Sequence, residues 1–122
     1  MHLIMGTSGA KMEDILRDLK RHTSKAILKA IAENPKESRK EWMLWMFEQA
    51  GTRNPNNEKY QFWQQHNHPI ELFNWEVMQQ KLEYLHQNPV VAGIVTEPWE
   101  YVYSSAGDYQ GKKGKIEIKF IE

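Results

Sequence analysis

The stretch KLEYLHQNPVVAGIV, residues 81–95, predicts the end of a helix that starts near residue 75 and is stopped by Pro89. Four apolar side chains share one stripe of this helix: Trp75, Met78, Leu82 and Leu85. Tyr84 falls roughly 140° from the middle of that stripe at about 100° per residue, and Asn88 lies one turn later on the same side. We therefore expect helix 75–88 to pack through the stripe and to hold Tyr84 away from the core.

Spacing alone leaves two interpretations of Tyr84 open. A tyrosine beside an apolar stripe is usually a half-buried amphipathic residue, and Asn88-Pro89 is then only a helix stop. The alternative is a tyrosine that faces a functional site. Under either interpretation Asn74 is a suitable N-cap for the helix.

Composition predicts a single domain over residues 1–122, long enough to bury a core. Sixteen basic and sixteen acidic residues balance, so an anionic partner would have to be bound by locally segregated charge. The absence of cysteine excludes disulfides, thiolate metal sites and thiol nucleophiles. With no long apolar run and no signal-peptide pattern, we expect a soluble cytoplasmic protein without a membrane partner.

Hydrophobic periodicity predicts two more helices. The first covers residues 12–33. A capping box of Ser38 and Glu41 opens the second, which runs to about Ala50 and stops at Gly51. The apolar side chains of the second helix are typical of a core: Trp42, Met43, Trp45, Met46 and Phe47.

Alternating apolar residues predict strands in three places: residues 1–5, 60–68 and 115–121. We expect the first two to share one sheet. Strands and helices in this mixed order favour an α+β sandwich.

The helix at 12–33 carries a basic stripe, made of Arg17, Lys20, Arg21, Lys25 and Lys29. Such a stripe is usually a solvated face supported by ion pairs one turn apart. In a chain of zero net charge the same segregation is also what a phosphate-binding surface requires. Both interpretations stay open.

The histidines suggest a metal site only weakly. His66 and His68 have a spacing that places both imidazoles on one face of a strand, but no third ligand is placed nearby, which favours an exposed pair. His2, on the first predicted strand, is ambiguous by itself. The motifs of P-loop, dinucleotide-binding, HExxH zinc and serine hydrolase proteins are absent.

A longer pattern follows Tyr84. Residues 84–95 read YLHQNPVVAGIV, and the pattern continues through Glu97-Pro98, Tyr101, Ser104-Ser105-Ala106, Asp108-Tyr109 and Gly111. Over these residues the chain resembles the single-tyrosine transposases of the HUH nuclease superfamily, and most of all the REP-associated tyrosine transposases. The opening MHLIM resembles the end of that family's N-H-x-H-L-I strand, and the basic helix at 12–33 fits the helix that follows it.

The resemblance implies a ferredoxin-like (RRM-like) sandwich of antiparallel sheet and helices. It also implies that Tyr84 is the nucleophile that attacks single-stranded DNA, forming a 5′-phosphotyrosine and releasing a 3′-hydroxyl. His2 and Asn88 would then be ligands of Mg²⁺ or Mn²⁺. His86 would either support the site residues from behind or be structural, and we favour the structural role. The implied partner is single-stranded or hairpin DNA, and a homodimer is compatible with it.

One departure from the family pattern bears on activity. The family motif has two histidines, and in this alignment Met1 occupies the position between them. The upstream histidine, with the first strand and helix of the fold, would precede the chain, and we therefore expect impaired cleavage. A truncated gene copy, a misassigned start and a trimmed chain all fit.

Two other functions fit the same sequence. One is a DNA-hairpin-binding remnant with no working metal site. The other is a structural or protein-interaction domain that binds through its aromatic residues. Salt-sensitive DNA binding would separate the last from the DNA-binding alternatives.

Overall fold

The computed structural model describes residues 1–121, which contain three α-helices and two short 3₁₀ helices. The chain divides into two compact units. Residues 6–68 form one unit, which holds the first two α-helices. Residues 1–5 and the chain from Pro69 onward form the other, which holds the third α-helix and both 3₁₀ helices. Among residues 1–121, no helix is both long and apolar enough to cross a membrane.

The predicted ferredoxin-like α+β sandwich is wrong, because residues 1–121 contain no β-strand. A strand is stable only when its backbone groups find partners on a neighbouring strand. The three alternating runs, at 1–5, 60–68 and 115–121, pair with no such neighbour. In the second run, His66 and His68 also have φ values of 65° and 47°, which interrupt an extended backbone.

The first helix, α1, runs from Met12 to Glu33, as predicted. The second, α2, runs from Lys40 to Thr52 and contacts α1. The predicted capping box is wrong, because Arg39 holds the N-cap position and no side chain caps the helix. The carboxylate of Glu37 instead accepts a hydrogen bond of 2.9 Å from the backbone N–H of Arg39.

Gly51 lies inside α2 and is buried, so its predicted role as a helix stop is wrong. A Cβ built at Gly51 would clash with the backbone carbonyl of Lys59. The glycine therefore permits the loop after α2 to return against the helix. The return is closed by a hydrogen bond of 3.0 Å from the backbone N–H of Gln61 to the carbonyl of Phe47.

The segment after this return packs against both helices of its unit. The ring of Phe62 lies 5.1 Å from that of Phe47 on α2 and 5.0 Å from that of Trp63. The indole N–H of Trp63 donates to the hydroxyl of Thr23 on α1 at 2.9 Å. The aromatic pairs and this bond therefore position residues 62 and 63 against α1 and α2.

The predicted core role of the α2 aromatic residues is wrong for its two tryptophans. Trp42 and Trp45 are 56% and 57% exposed, and Met46 is also exposed. Met43 and Phe47 are half-buried. Periodicity marks an apolar helix face correctly, but whether that face is covered depends on which elements lie against it.

The third helix, α3, runs from Trp75 to Val91, so the predicted stop at Pro89 is wrong. Pro89 has no N–H to donate, but the last turn is held by the N–H groups of Ala92 and Gly93, which donate to the carbonyls of Asn88 and Val90. The predicted N-cap is confirmed, since the Asn74 side chain accepts from the N–H of Val77 at 2.8 Å.

The packing face of α3 agrees in part with the predicted stripe. Met78, Leu82 and Leu85 are half-buried, whereas Trp75 is 47% exposed. The helix contacts the first 3₁₀ helix, Pro98–Glu100, which in turn contacts the second, Ser105–Gln110. The two 3₁₀ helices thus take the place next to α3 where a sheet was predicted.

Replacing Gly51 by alanine should destabilise the protein by about 1–3 kcal/mol, because the added methyl meets backbone that cannot rotate away. The free energy of unfolding, from urea titration followed by circular dichroism, is the measurement. Gly6→Ala is the matched control, since nothing lies within 4 Å of a Cβ there. Equal stability of the two variants would contradict the close approach of residue 59 to α2.

Candidate active site

Tyr84 lies on α3 and is 56% exposed, so it is held away from the half-buried face of the helix. The ring of His2 lies 5.5 Å from the Tyr84 ring, centroid to centroid, in an edge-to-face arrangement with planes at 85°. Residues 2 and 84 belong to the same compact unit. The structure therefore brings together the predicted nucleophile and the predicted histidine ligand, which are distant in sequence.

Asn88, the second predicted ligand, lies one turn after Tyr84. Its side-chain amide donates a hydrogen bond of 3.0 Å to the backbone carbonyl of Tyr84. This bond uses the NH₂ group and orients the side chain, and the amide oxygen has no hydrogen-bond donor among the described residues. An oriented amide with an unused oxygen is suited to bind a hard cation.

Lys81 joins this group, although it was not singled out from the sequence. Its ammonium nitrogen lies 5.9 Å from the centre of the Tyr84 ring. Residues 81 and 84 are three apart on one helix, a spacing that places side chains side by side. This spacing is the feature of the sequence that could have identified Lys81. Its ammonium group places a positive charge beside the phenol.

His2 and Asn88 supply one nitrogen and one oxygen donor, a mixed set that Mn²⁺ or Mg²⁺ accepts. Among residues 1–121 no group of three histidine, cysteine, aspartate or glutamate side chains is placed to hold a metal ion. The described site therefore offers two ligands. His66 and His68 are exposed, and their rings are 6.2 Å apart, in agreement with the predicted surface pair.

The basic stripe of α1 is partly neutralised by acidic neighbours. Arg17 forms ion pairs with Asp14 at 2.7 Å and Asp18 at 3.2 Å. Lys29 lies 3.9 Å from Glu33. This part of the stripe matches a solvated face.

The rest of the stripe differs from residue to residue. The ammonium of Lys20 donates to the carbonyl of Gln64 at 2.9 Å. Arg21 and Lys25 are exposed and form no ion pair within residues 1–121. Among residues 1–121, Arg21 and Lys25 are therefore the exposed cations of the stripe whose side chains make neither an ion pair nor a hydrogen bond.

His86 anchors the opposite side of α3. It is only 8% exposed, and its Nε2 shares a hydrogen bond of 2.8 Å with the hydroxyl of Ser105. The ring of Tyr109 lies 5.3 Å away, edge-to-face. Burial lowers the pKa of His86, against a smaller opposing effect of the Glu83 charge. The structural role predicted for His86 agrees with these contacts.

Comparison of the chain with protein-family models, curated proteins and solved structures gave no match. A functional assignment therefore depends on the motif at residues 84–111 and on the geometry around Tyr84.

Replacing Ser105 by alanine should cost about 1–3 kcal/mol of stability, because a buried imidazole nitrogen is left without its partner. Differential scanning calorimetry of the variant is the measurement. Ser38→Ala is the control, since the exposed Ser38 does not cap α2 and should change stability little. If Ser38→Ala lost more stability than Ser105→Ala, the absence of a capping box at α2 and the anchoring role of His86 would both be contradicted.

Stability should also fall as the pH decreases below about 6.5, the usual pKa of histidine in an unfolded chain. The folded state lowers the pKa of His86, so the unfolded state takes up the proton first and gains from acidification. Thermal unfolding midpoints between neutral and mildly acidic pH measure the effect. His86→Gln should flatten the dependence, and replacement of the exposed His22 by glutamine is the matched control. If the unfolding midpoint of His86→Gln depends on pH as steeply as that of the wild-type protein, His86 is not the source of the dependence.

Proposed function

We propose that this chain is a DNA-processing protein of the single-tyrosine transposase type, which binds single-stranded or hairpin DNA through Tyr84 and its neighbours. The observation that supports it most is the meeting of His2, Tyr84 and Lys81 in one unit, with Asn88 bonded to the Tyr84 backbone. The motif resemblance selects the same tyrosine. Binding of cellular DNA would accord with a cytoplasmic location.

The proposed reaction is a transesterification at phosphorus. The phenol oxygen of Tyr84 forms a bond to the scissile phosphorus as its proton leaves to solvent. The bond from phosphorus to the 3′ oxygen breaks, and that oxygen takes up a proton. The products are a 5′-phosphotyrosine and a 3′-hydroxyl, and the reverse attack rejoins DNA.

Each neighbouring side chain has a separate role in this reaction. Lys81 would attract the phosphate to the phenol and balance its charge. His2 and Asn88 would hold a divalent ion, which when bound polarises the scissile phosphate. Because a phenol with a usual pKa near 10 is a weak nucleophile at neutral pH, the reaction depends on such assistance.

Exposure alone does not select Tyr84, since Tyr103 is 80% exposed. Within residues 1–121, Tyr103 has only the ring of Tyr101 at 5.9 Å as an aromatic neighbour. Tyr84 instead has a histidine, a lysine and an amide around it. A nucleophile needs such groups, which makes Tyr103 the natural control.

Tyr84→Phe should abolish covalent attachment to DNA, because it removes the attacking oxygen from a side chain that is not needed for packing. Denaturing gels of the protein incubated with labelled hairpin DNA and Mn²⁺ show the adduct, and peptide mapping locates it. DNA affinity and thermal stability should change little.

Tyr103→Phe is the matched control and should keep the adduct. Lys81→Met should lower the yield of adduct while retaining its position. If peptide mapping places the DNA on another tyrosine, the assignment of Tyr84 fails. If the wild-type protein binds hairpin DNA but forms no adduct with Mn²⁺ or Mg²⁺, the non-catalytic hairpin-binding alternative is favoured.

The exposed α2 face supports a second candidate, a protein-interaction domain. Trp42, Trp45 and Met46 expose large apolar surfaces on one helix. Tryptophan and methionine are enriched where proteins meet. Trp42→Glu would solubilise this face, and a change from dimer to monomer in analytical ultracentrifugation would establish self-association.

A further inference from the structure

The segment that follows the second 3₁₀ helix concentrates positive charge. Residues 111–121, which we call the lysine segment, contain Lys112, Lys113, Lys115 and Lys119 against the single acidic residue Glu117. The complete chain carries no net charge. Charge is therefore segregated into this segment, as an anion-binding surface requires.

These four lysines are available to an external partner. All four are exposed. The ion pairs within residues 1–121 involve only Arg17, Lys29 and Arg39 as cations. Among residues 1–121, the lysine segment therefore has four exposed cations that form no ion pair, whereas the α1 stripe has two, Arg21 and Lys25.

The backbone of the lysine segment is fixed at three points to the preceding 3₁₀ helix. The N–H of Lys112 donates to the carbonyl of Gly107 at 3.0 Å. The N–H of Gly114 donates to the carboxylate of Asp108 at 2.9 Å. The N–H of Ile121 donates to the hydroxyl of Tyr109 at 2.9 Å.

The ring of Phe120 adds an edge-to-face contact to Tyr109 at 5.0 Å. Tyr109 also contacts the buried His86, so the segment is tied to α3 through one tyrosine. A partner would thus meet lysines on an ordered backbone, which reduces the conformational entropy lost on binding.

We propose that the lysine segment binds the phosphate backbone of nucleic acid, independently of the Tyr84 chemistry. Lysine ammonium groups are hydrated point charges that contact phosphates without reading base sequence. This inference rests on the proposed function for its choice of DNA as the polyanion. It assigns the main electrostatic contact to residues 112–119 rather than to the basic stripe of α1.

Two variants with equal charge changes test the proposal. One replaces the four lysines of the segment by glutamine. The other replaces four cations of α1 by glutamine: Arg17, Arg21, Lys25 and Lys29. Both lower the net charge by the same amount, so a difference between them reports position rather than total charge. Circular dichroism and thermal melting verify that each variant is folded.

The measured quantity is the slope of log affinity against log salt concentration for a thymidine homopolymer and a hairpin oligonucleotide. Each phosphate contact on a single strand contributes about 0.7 to this slope. We expect the lysine-segment variant to flatten the slope by up to about 2.8, and the α1 variant by no more than about 1.4. A slope unchanged by the lysine-segment variant, or flattened at least as much by the α1 variant, overturns the proposal.

The same experiment separates this inference from the proposed function. If wild-type protein binds DNA and forms the Tyr84 adduct while the lysine-segment variant keeps the wild-type slope, only the inference fails. If wild-type protein binds neither oligonucleotide, the proposed function fails with it. Vesicles of phosphatidylserine and phosphatidylcholine are the competing polyanion. If the protein binds these vesicles in preference to DNA, and the lysine-segment variant does not, the partner of the segment is a lipid surface rather than DNA.

Discussion

The hydrogen bond between His86 and Ser105 is the contact on which the C-terminal unit depends. It joins α3 to the second 3₁₀ helix through His86, which is the buried polar side chain among residues 1–121. The ring of Tyr109 contacts the same imidazole, and its hydroxyl accepts a hydrogen bond from the backbone N–H of Ile121 in the lysine segment. A buried hydrogen-bonded pair fixes orientation more strictly than apolar contact does, because a small displacement leaves a polar atom unsatisfied.

The helices were predictable because their signals are local. Periodicity gave α1 its correct bounds, and Asn74 gave α3 its correct start. The strands were not predictable, because an alternating run becomes a strand only if a partner strand pairs with it. The α2 face failed for a related reason: Trp42 and Trp45 show where a helix is apolar, and the sequence does not show whether anything lies against it.

Contacts in the candidate site were predictable only where the two residues are close in sequence. The relation between Tyr84 and Asn88 follows from one helical turn, and their bond confirms that they are neighbours. Lys81 follows from the same rule but was not recognised. The approach of His2 to Tyr84 could not be obtained from spacing, and only the motif resemblance suggested it. The partner of His86 lies 19 residues away, beyond any helical rule.

The two roles of α3 follow from its geometry. Residues two apart on a helix point about 160° away from each other, so Tyr84 and His86 lie on opposite sides. His86 is buried against Ser105, which leaves Tyr84 and Asn88 directed away from that contact. The same alternation that makes His86 an anchor therefore presents the phenol to solvent. A proline in the last turn does not disturb this arrangement, because the bonds that close the turn use only donors after Pro89. The motif YLHQNP can thus be understood physically, with Tyr84 and Asn88 on one side of the helix and His86 on the opposite side, which fixes the helix in place.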